Sequence, residues 1–197
     1  VLWAFANCGE TAAMSPDSSI YQPSLTRGLE WLLDKAYRYD ITPVNGVDPD
    51  INGNGSGIIL GYDPEVGVAH QFSGYTHGMC MAALCAIKAP HLRTDVGPFN
   101  NAGQGTALGD IIADSRDMCL WSSLKNSGKG WGYSLFQFDW MDLSIASWNV
   151  IGLEAAQGAG AQVPDWGWKR IEELVLENFS PPGLYIYNLS AFAIATD

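Results

Sequence analysis

Basic residues are scarce. Ten Lys and Arg stand against 21 Asp and Glu, a formal charge of −11 at pH 7. That sign repels phosphate backbones and no cluster of Lys or Arg reverses it locally, so a nucleic-acid-binding role is excluded. Long apolar runs are missing as well. No stretch reaches the roughly 18 uninterrupted apolar residues of a membrane-spanning helix. Cysteine is sparse, with Cys8, Cys80, Cys85 and Cys119 in no close framework spacing. Cys80 and Cys85 would point to different sides of a helix, so buried free thiols are expected; one or two disulfides stay open if the protein is exported. What the chain does have is apolar and aromatic surface. It is 47% hydrophobic with 8 Trp, 8 Tyr and 7 Phe, too much to leave in water, which excludes disorder and gives its 197 residues the makings of one ordinary domain.

The chain opens Val-Leu-Trp-Ala-Phe-Ala-Asn-Cys-Gly, like the back half of a helix closed by glycine, and residues 189–195 are apolar and small where it stops. The expectation is a single domain over 1–197 belonging to a longer chain. The acidic, lysine-poor composition and the sequons at Asn54, Asn178 and Asn188 are compatible with an extracellular or cell-surface protein.

Helical patterns of two kinds alternate. Over 24–39, Leu25, Leu29, Leu32, Leu33 and Ala36 form one apolar stripe. Residues 75–87 are apolar around nearly the whole circumference, which predicts a helix sheathed by protein. Thr106 can cap a one-faced helix with Leu108, Ile111, Ile112, Ser115, Met118 and Cys119 inward and Asp110, Asp114, Arg116 and Asp117 outward. A second sheathed segment covers 142–157, and Pro164 opens an amphipathic helix through 179. Inner and outer helices in alternation predict an all-α fold, a partial alpha/alpha toroid of about three helical hairpins. One long Gly-rich loop, 42–74, is inserted in it, with Ile58, Ile59 and Leu60 able to pair as a strand or pack as a plug.

Within that loop, Asp48, Asp50, Asn52, Asn54 and Ser56 place oxygens at alternate positions with Gly53 sixth, as in a calcium loop, although Ile59 stands where a bidentate Glu would close it. Calcium is the cofactor this pattern suggests; the alternative is a series of turns whose side chains cap their own backbone. His70, Tyr75 and His77 gather before and at the start of a sheathed helix, a place for an anion or substrate. The sequence has no HExxH and no CxxC, and hydrogen-bonded structural histidines are the competing reading. Trp131, Tyr133 and Trp148 could stack on a sugar or an isoprenoid, or simply pack against a helix end. For acid and base work the candidates are Glu154, expected among apolar neighbours, with His77 and Asp142.

Residues 24–32 (Ser-Leu-Thr-Arg-Gly-Leu-Glu-Trp-Leu) resemble the opening of a prenyltransferase and squalene-oxidase type repeat, as do 121–133 followed by 142–156. The resemblance spans most of the chain. It implies the alpha/alpha toroid of terpene cyclases, protein prenyltransferases and complement-like thioester domains, and is nearest to prokaryotic members with an Asn-Gly-Asn-Gly loop, here 52–55. The chemistry of those families is not matched. An Asp-x-Asp-Asp run is absent, Asp117-Met118-Cys119 matches the prenyltransferase zinc pair in letters but no His follows it, and Cys8-Gly9-Glu10 lacks the Gln of a thioester motif. A non-catalytic helical module is therefore expected, serving as scaffold or as a protein or glycan binder. Its partners would be other parts of a longer chain, a self-associating copy or a glycan. The alternative is an enzyme acting on an isoprenoid or polysaccharide.

Overall fold

The computed structural model describes residues 21–61, 73–101, 103–126, 130–136, 141–177, 179–180 and 184–185. Helix α1, Gln22–Asp34, carries Pro at its first turn and buries Leu25, Leu29, Leu32 and Leu33, the predicted stripe. It stops earlier than the periodicity suggests. Strand β1, Tyr37–Asp40, follows and pairs antiparallel with β2, Ser56–Ile59, with Tyr37 opposite Ile59 and Asp40 opposite Ser56. Ile58 and Ile59 are thus both strand and plug, and Leu60 follows directly after the strand, all three fully buried.

Helix α2, Ser73–Cys85, leads through β3, Arg93–Thr94, a 3-10 turn at Gly97–Phe99, and β4, Thr106–Ala107, into α3, Leu108–Lys125. Helix α4 is Leu143–Gly158 and α5 is Asp165–Glu177, followed by the short antiparallel pair β5, Phe179–Ser180, and β6, Leu184–Tyr185. Thr106 does not cap α3; it lies in β4 and its hydroxyl donates to the Phe99 carbonyl.

Two expectations are corrected. The fold is mostly helical but not all-α, since three two-stranded antiparallel ladders occur among the described residues, and five described helices fall short of a multi-hairpin toroid. Strand formation at 37–40 has a non-local cause: Tyr, Arg, Tyr and Asp there offer Ile58 and Ile59 an extended partner, whereas the helix pattern offered only Ala36.

The second correction concerns layers. Helix α3 was expected on the outside with its charges in water, yet Asp114, Arg116 and Asp117 are buried together with Met118, Cys119 and Leu120. It is the enclosed centre of the molecule, packed on β2, α2 and α4. Gly57 lets β2 lie that close, because a Cβ there would sit 2.9 Å from Ile41 and 3.1 Å from Met118.

Helices α2 and α4 run parallel in direct contact. Asn149 Nδ2 donates to the Gly74 carbonyl at 2.9 Å, Gly78 lies against the Trp148 backbone, and Gly152 lies against Met81. The glycines permit backbone approach that any side chain would block.

Candidate functional site

The ends of α2 and α4 meet at a turn formed by 130–136. Gly74 N–H donates to the Tyr133 carbonyl at 2.8 Å, Leu135 N–H to Ser73 Oγ at 3.0 Å, and Asp142 N–H to the Trp131 carbonyl at 3.0 Å. These bonds hold Tyr133 over the first turn of α2, its ring centroid 5.7 Å from that of Tyr75 at an interplanar angle of 41°. Tyr133 is 37% exposed and Tyr75 half-buried, so the pair presents aromatic surface to solvent.

Behind the pair runs a row of polar groups. Asp142 caps α4, accepting from the amides of Ser144 at 2.8 Å and Ile145 at 3.4 Å. Ser144 Oγ donates to the same carboxylate oxygen at 2.5 Å and is itself hydrogen-bonded to the Tyr75 hydroxyl. With the serine proton directed at Asp142, the tyrosine proton fills the remaining bond. Tyr75, Tyr133 and Asp142, nominated separately from sequence, are brought together here. Ser144 was missed, although Asp-x-Ser at a helix start was its available signal.

The other nominated residues lie elsewhere. Trp131 is a core residue whose indole N–H donates to the Cys119 carbonyl at 2.9 Å. Trp148 is half-buried on α4, and Glu154, expected among apolar neighbours, is exposed. His70 lies outside the described residues.

His77 is fully buried where β2, α2 and α3 meet. Its Nδ1 accepts the Leu60 N–H at 3.2 Å, which leaves the proton on Nε2 to be donated to the Ser115 carbonyl at 2.9 Å. Burial lowers its pKa to about 4, against a smaller upward pull from the Ser115 bond. It is a neutral, structural imidazole that ties three elements together.

The Asp48–Ser56 segment folds back on itself and grips α3. Asp48 accepts from Asp50 N–H at 3.1 Å. Asp50 accepts from Gly53, Asn54 and Gly55 amides at 3.0, 3.2 and 2.6 Å. Asn52 Oδ1 takes the Asn54 amide at 3.2 Å and Asn54 Oδ1 the Ser56 amide at 2.8 Å. Both asparagine oxygens being so placed, their Nδ2 groups face outward and donate to Asp114 Oδ1 at 2.7 and 2.8 Å. Among the described residues no group of three or more His, Cys, Asp or Glu is arranged to hold a metal ion.

Next to this clasp, Asp117 accepts from Arg116 Nε at 2.8 Å and is ion-paired with Nη2, 2.7 Å away without hydrogen-bond geometry, while Arg116 Nη1 donates to the Gln162 carbonyl at 2.9 Å. Burial pushes the Asp117 pKa up to about 7 despite the guanidinium and the facing Ile51 amide; the neighbouring Asp114 charge adds to the rise. Asp114 is also raised by burial, opposed by its two asparagine bonds and by the charge of Arg38.

The free thiols Cys80, Cys85 and Cys119 are held protonated by burial, Cys80 with a pKa pushed up to about 11 and Cys85 to about 12. None has the electropositive surroundings of a reactive thiolate. Among the described residues no helix is long and apolar enough to cross a membrane.

Compared with protein-family models, curated proteins and solved structures, the chain matches none. The resemblance to prenyltransferase and squalene-oxidase type repeats is accordingly corrected: no relationship supports it, and the β-ladders interrupt the succession of helices that a cyclase-like toroid requires.

Proposed function

We propose that the chain is a non-catalytic binding and scaffold module of an extracellular or cell-surface protein, with the Tyr75–Tyr133 pair as its contact for a glycan. The observation that carries the reading is this pair of rings, held by backbone hydrogen bonds at one end of α2 and backed by the ordered hydroxyl of Ser144. An aromatic face covers the apolar face of a sugar ring while fixed hydroxyls satisfy its edge. The three acid and base candidates support the same reading. His77 is spent on backbone hydrogen bonds, Asp142 on a helix cap, and Glu154 lies exposed near the other end of α4.

The Asp142–Ser144–Tyr75 row favours one second reading, an enzyme acting on a polysaccharide with the Tyr75 hydroxyl as its proton-transferring group. One experiment separates the two. Oligosaccharides titrated into the protein are expected to shift the tyrosine resonances and to release no new reducing ends on long incubation. Tyr133→Ala, with its fold checked by circular dichroism, is expected to weaken binding by about tenfold or more, on the order of 1.4 kcal/mol. Binding that survives the substitution removes the glycan assignment, and accumulating reducing ends establish the enzyme.

Calcium at Asp48, Asp50, Asn52, Asn54 and Ser56 is a proposal of the sequence pattern alone, since the side-chain oxygens of the first four accept the loop's own amides in this geometry and Ser56 Oγ accepts from Arg38 Nη1. Its test is a calcium titration followed by thermal unfolding. A bound ion raises Tm with concentration by mass action; an unchanged Tm at about a hundred times any relevant Kd overturns it.

A further inference from the structure

At the opposite end of the α2–α4 pair from the tyrosines, the helices enclose a groove with a volume of about 570 Å³. Its walls are Ala82 and Ala86 on one side and Ala155 and Ile151 on the other, over a floor that includes Ile112. Ile151 is 38% exposed at the rim of this apolar cleft. Two charged residues complete the lining, Lys88 following α2 and Glu154 on α4. Both are exposed, and neither forms an ion pair with another described residue.

We infer that this groove is a self-association surface whose occupant is a second copy of the same chain, related by a two-fold axis that seats Ile151 of each copy in the groove of the other. The charges select that occupant. A chain carrying −11 repels its own copy over most of its surface, yet here one cation and one anion flank an apolar cleft and the patch is locally neutral. A two-fold contact brings a patch onto itself, so that residue i meets residue j and j meets i. Lys88 then faces Glu154 of the second copy twice over, and no like pair is forced together. Small residues along both walls leave room for the entering isoleucine. This deepens the scaffold part of the proposed function. It does not involve the tyrosine pair, so its failure would leave the glycan titration unaffected.

The test is sedimentation equilibrium from micromolar to near-millimolar protein. Wild type is expected to form a dimer and nothing larger. Ile151→Asp, at an exposed position that the fold does not need, is expected to abolish association. Lys88→Glu alone and Glu154→Lys alone each place like charges face to face and should weaken it about tenfold or more. An equimolar mixture of those two variants should associate again, because every facing pair in the mixed dimer is then of opposite sign. A monomeric wild type, charge reversals without effect, or a mixture no better than its components overturns the inference. Growth beyond a dimer overturns the two-fold geometry.

Discussion

Replacing Gly78 by alanine is expected to destabilise the protein by about 3 kcal/mol, near the upper end for overpacking a tight interface. A Cβ at position 78 would lie 2.4 Å from the Trp148 carbonyl oxygen and 2.7 Å from the Asn149 nitrogen. Both are backbone atoms of α4 and cannot swing aside. Relief requires α2 and α4 to separate, which breaks the Asn149 bond to the Gly74 carbonyl and loosens Ile145, Leu153 and Met81 in the core. Gly152→Ala is expected to destabilise less, since its nearest obstacle at 2.7 Å is the flexible Met81 methyl and the backbone it meets next, the Gly78 carbonyl oxygen, stands at 2.9 Å. Gly158→Ala, on the same helix with nothing within 4 Å, is expected to stabilise by about 0.5 kcal/mol through the better helix propensity of alanine. Urea midpoints at constant m-value measure all three. If Gly78→Ala unfolds within about 0.5 kcal/mol of Gly158→Ala, the close crossing does not govern stability.

Asp117→Asn and His77→Gln are expected to reveal opposite pH dependences that nearly cancel in the wild type. His77 has a pKa near 4 when folded against 6.5 unfolded, so the unfolded chain binds the extra proton between these values. Its contribution is complete above pH 6.5 and is lost as pH falls toward 4. Asp117 has a pKa near 7 when folded against 3.8 unfolded, so there the folded chain holds the extra proton. Its contribution is complete below pH 3.8 and is lost as pH rises toward 7. Asp114, also raised, adds to the second trend. The groups facing Asp117 are Arg116, the Ile51 amide and Asp114, and Asp114 in turn senses Arg38 and Asp110. Each main effect is on the order of 3 kcal/mol over its window. Wild-type stability should therefore be nearly flat from about pH 4 to 6.5, rise with pH in Asp117→Asn and fall with pH in His77→Gln. Denaturant unfolding at a series of pH values reads the slopes. Parallel curves for the two variants would show that these groups do not titrate as their burial requires.

That 79–85 and 145–156 are helical was legible because their signal is local, an apolar run with few polar breaks. Their sheathing was not: α4 buries one face, Ile145, Ala146, Asn149, Gly152, Leu153 and Ala156, and leaves Ile151 and Glu154 exposed, as α2 leaves Met79. The position of α3 was not legible, because what makes it central is remote. Asp114 looks like an outer-face residue until Asn52, 62 residues away, and Asn54 supply the amides that allow its burial, and Asp117 until Arg116 and the Ile51 amide turn toward it. The end of α1 was misread for a related reason. Tyr37 to Asp40 continues a helical count, and only the approach of Ile58 and Ile59 makes an extended backbone the better use of it. Tyr75 and Tyr133 could be nominated as aromatics, but their pairing depends on Gly74, whose missing Cβ would sit 2.1 Å from the Gly132 carbonyl oxygen.

The clasp on α3 also sets how the molecule would age. Asn52 and Asn54 each precede a glycine, the neighbour that least hinders attack of the following backbone nitrogen on a side-chain amide, so both are exposed to deamidation. Loss of either amide would exchange a donor held 2.7 or 2.8 Å from Asp114 for a second carboxylate at the same distance. Chemical wear at one surface loop would thus be felt as repulsion at the most enclosed helix, and old preparations should open first along the seam between that loop and α3.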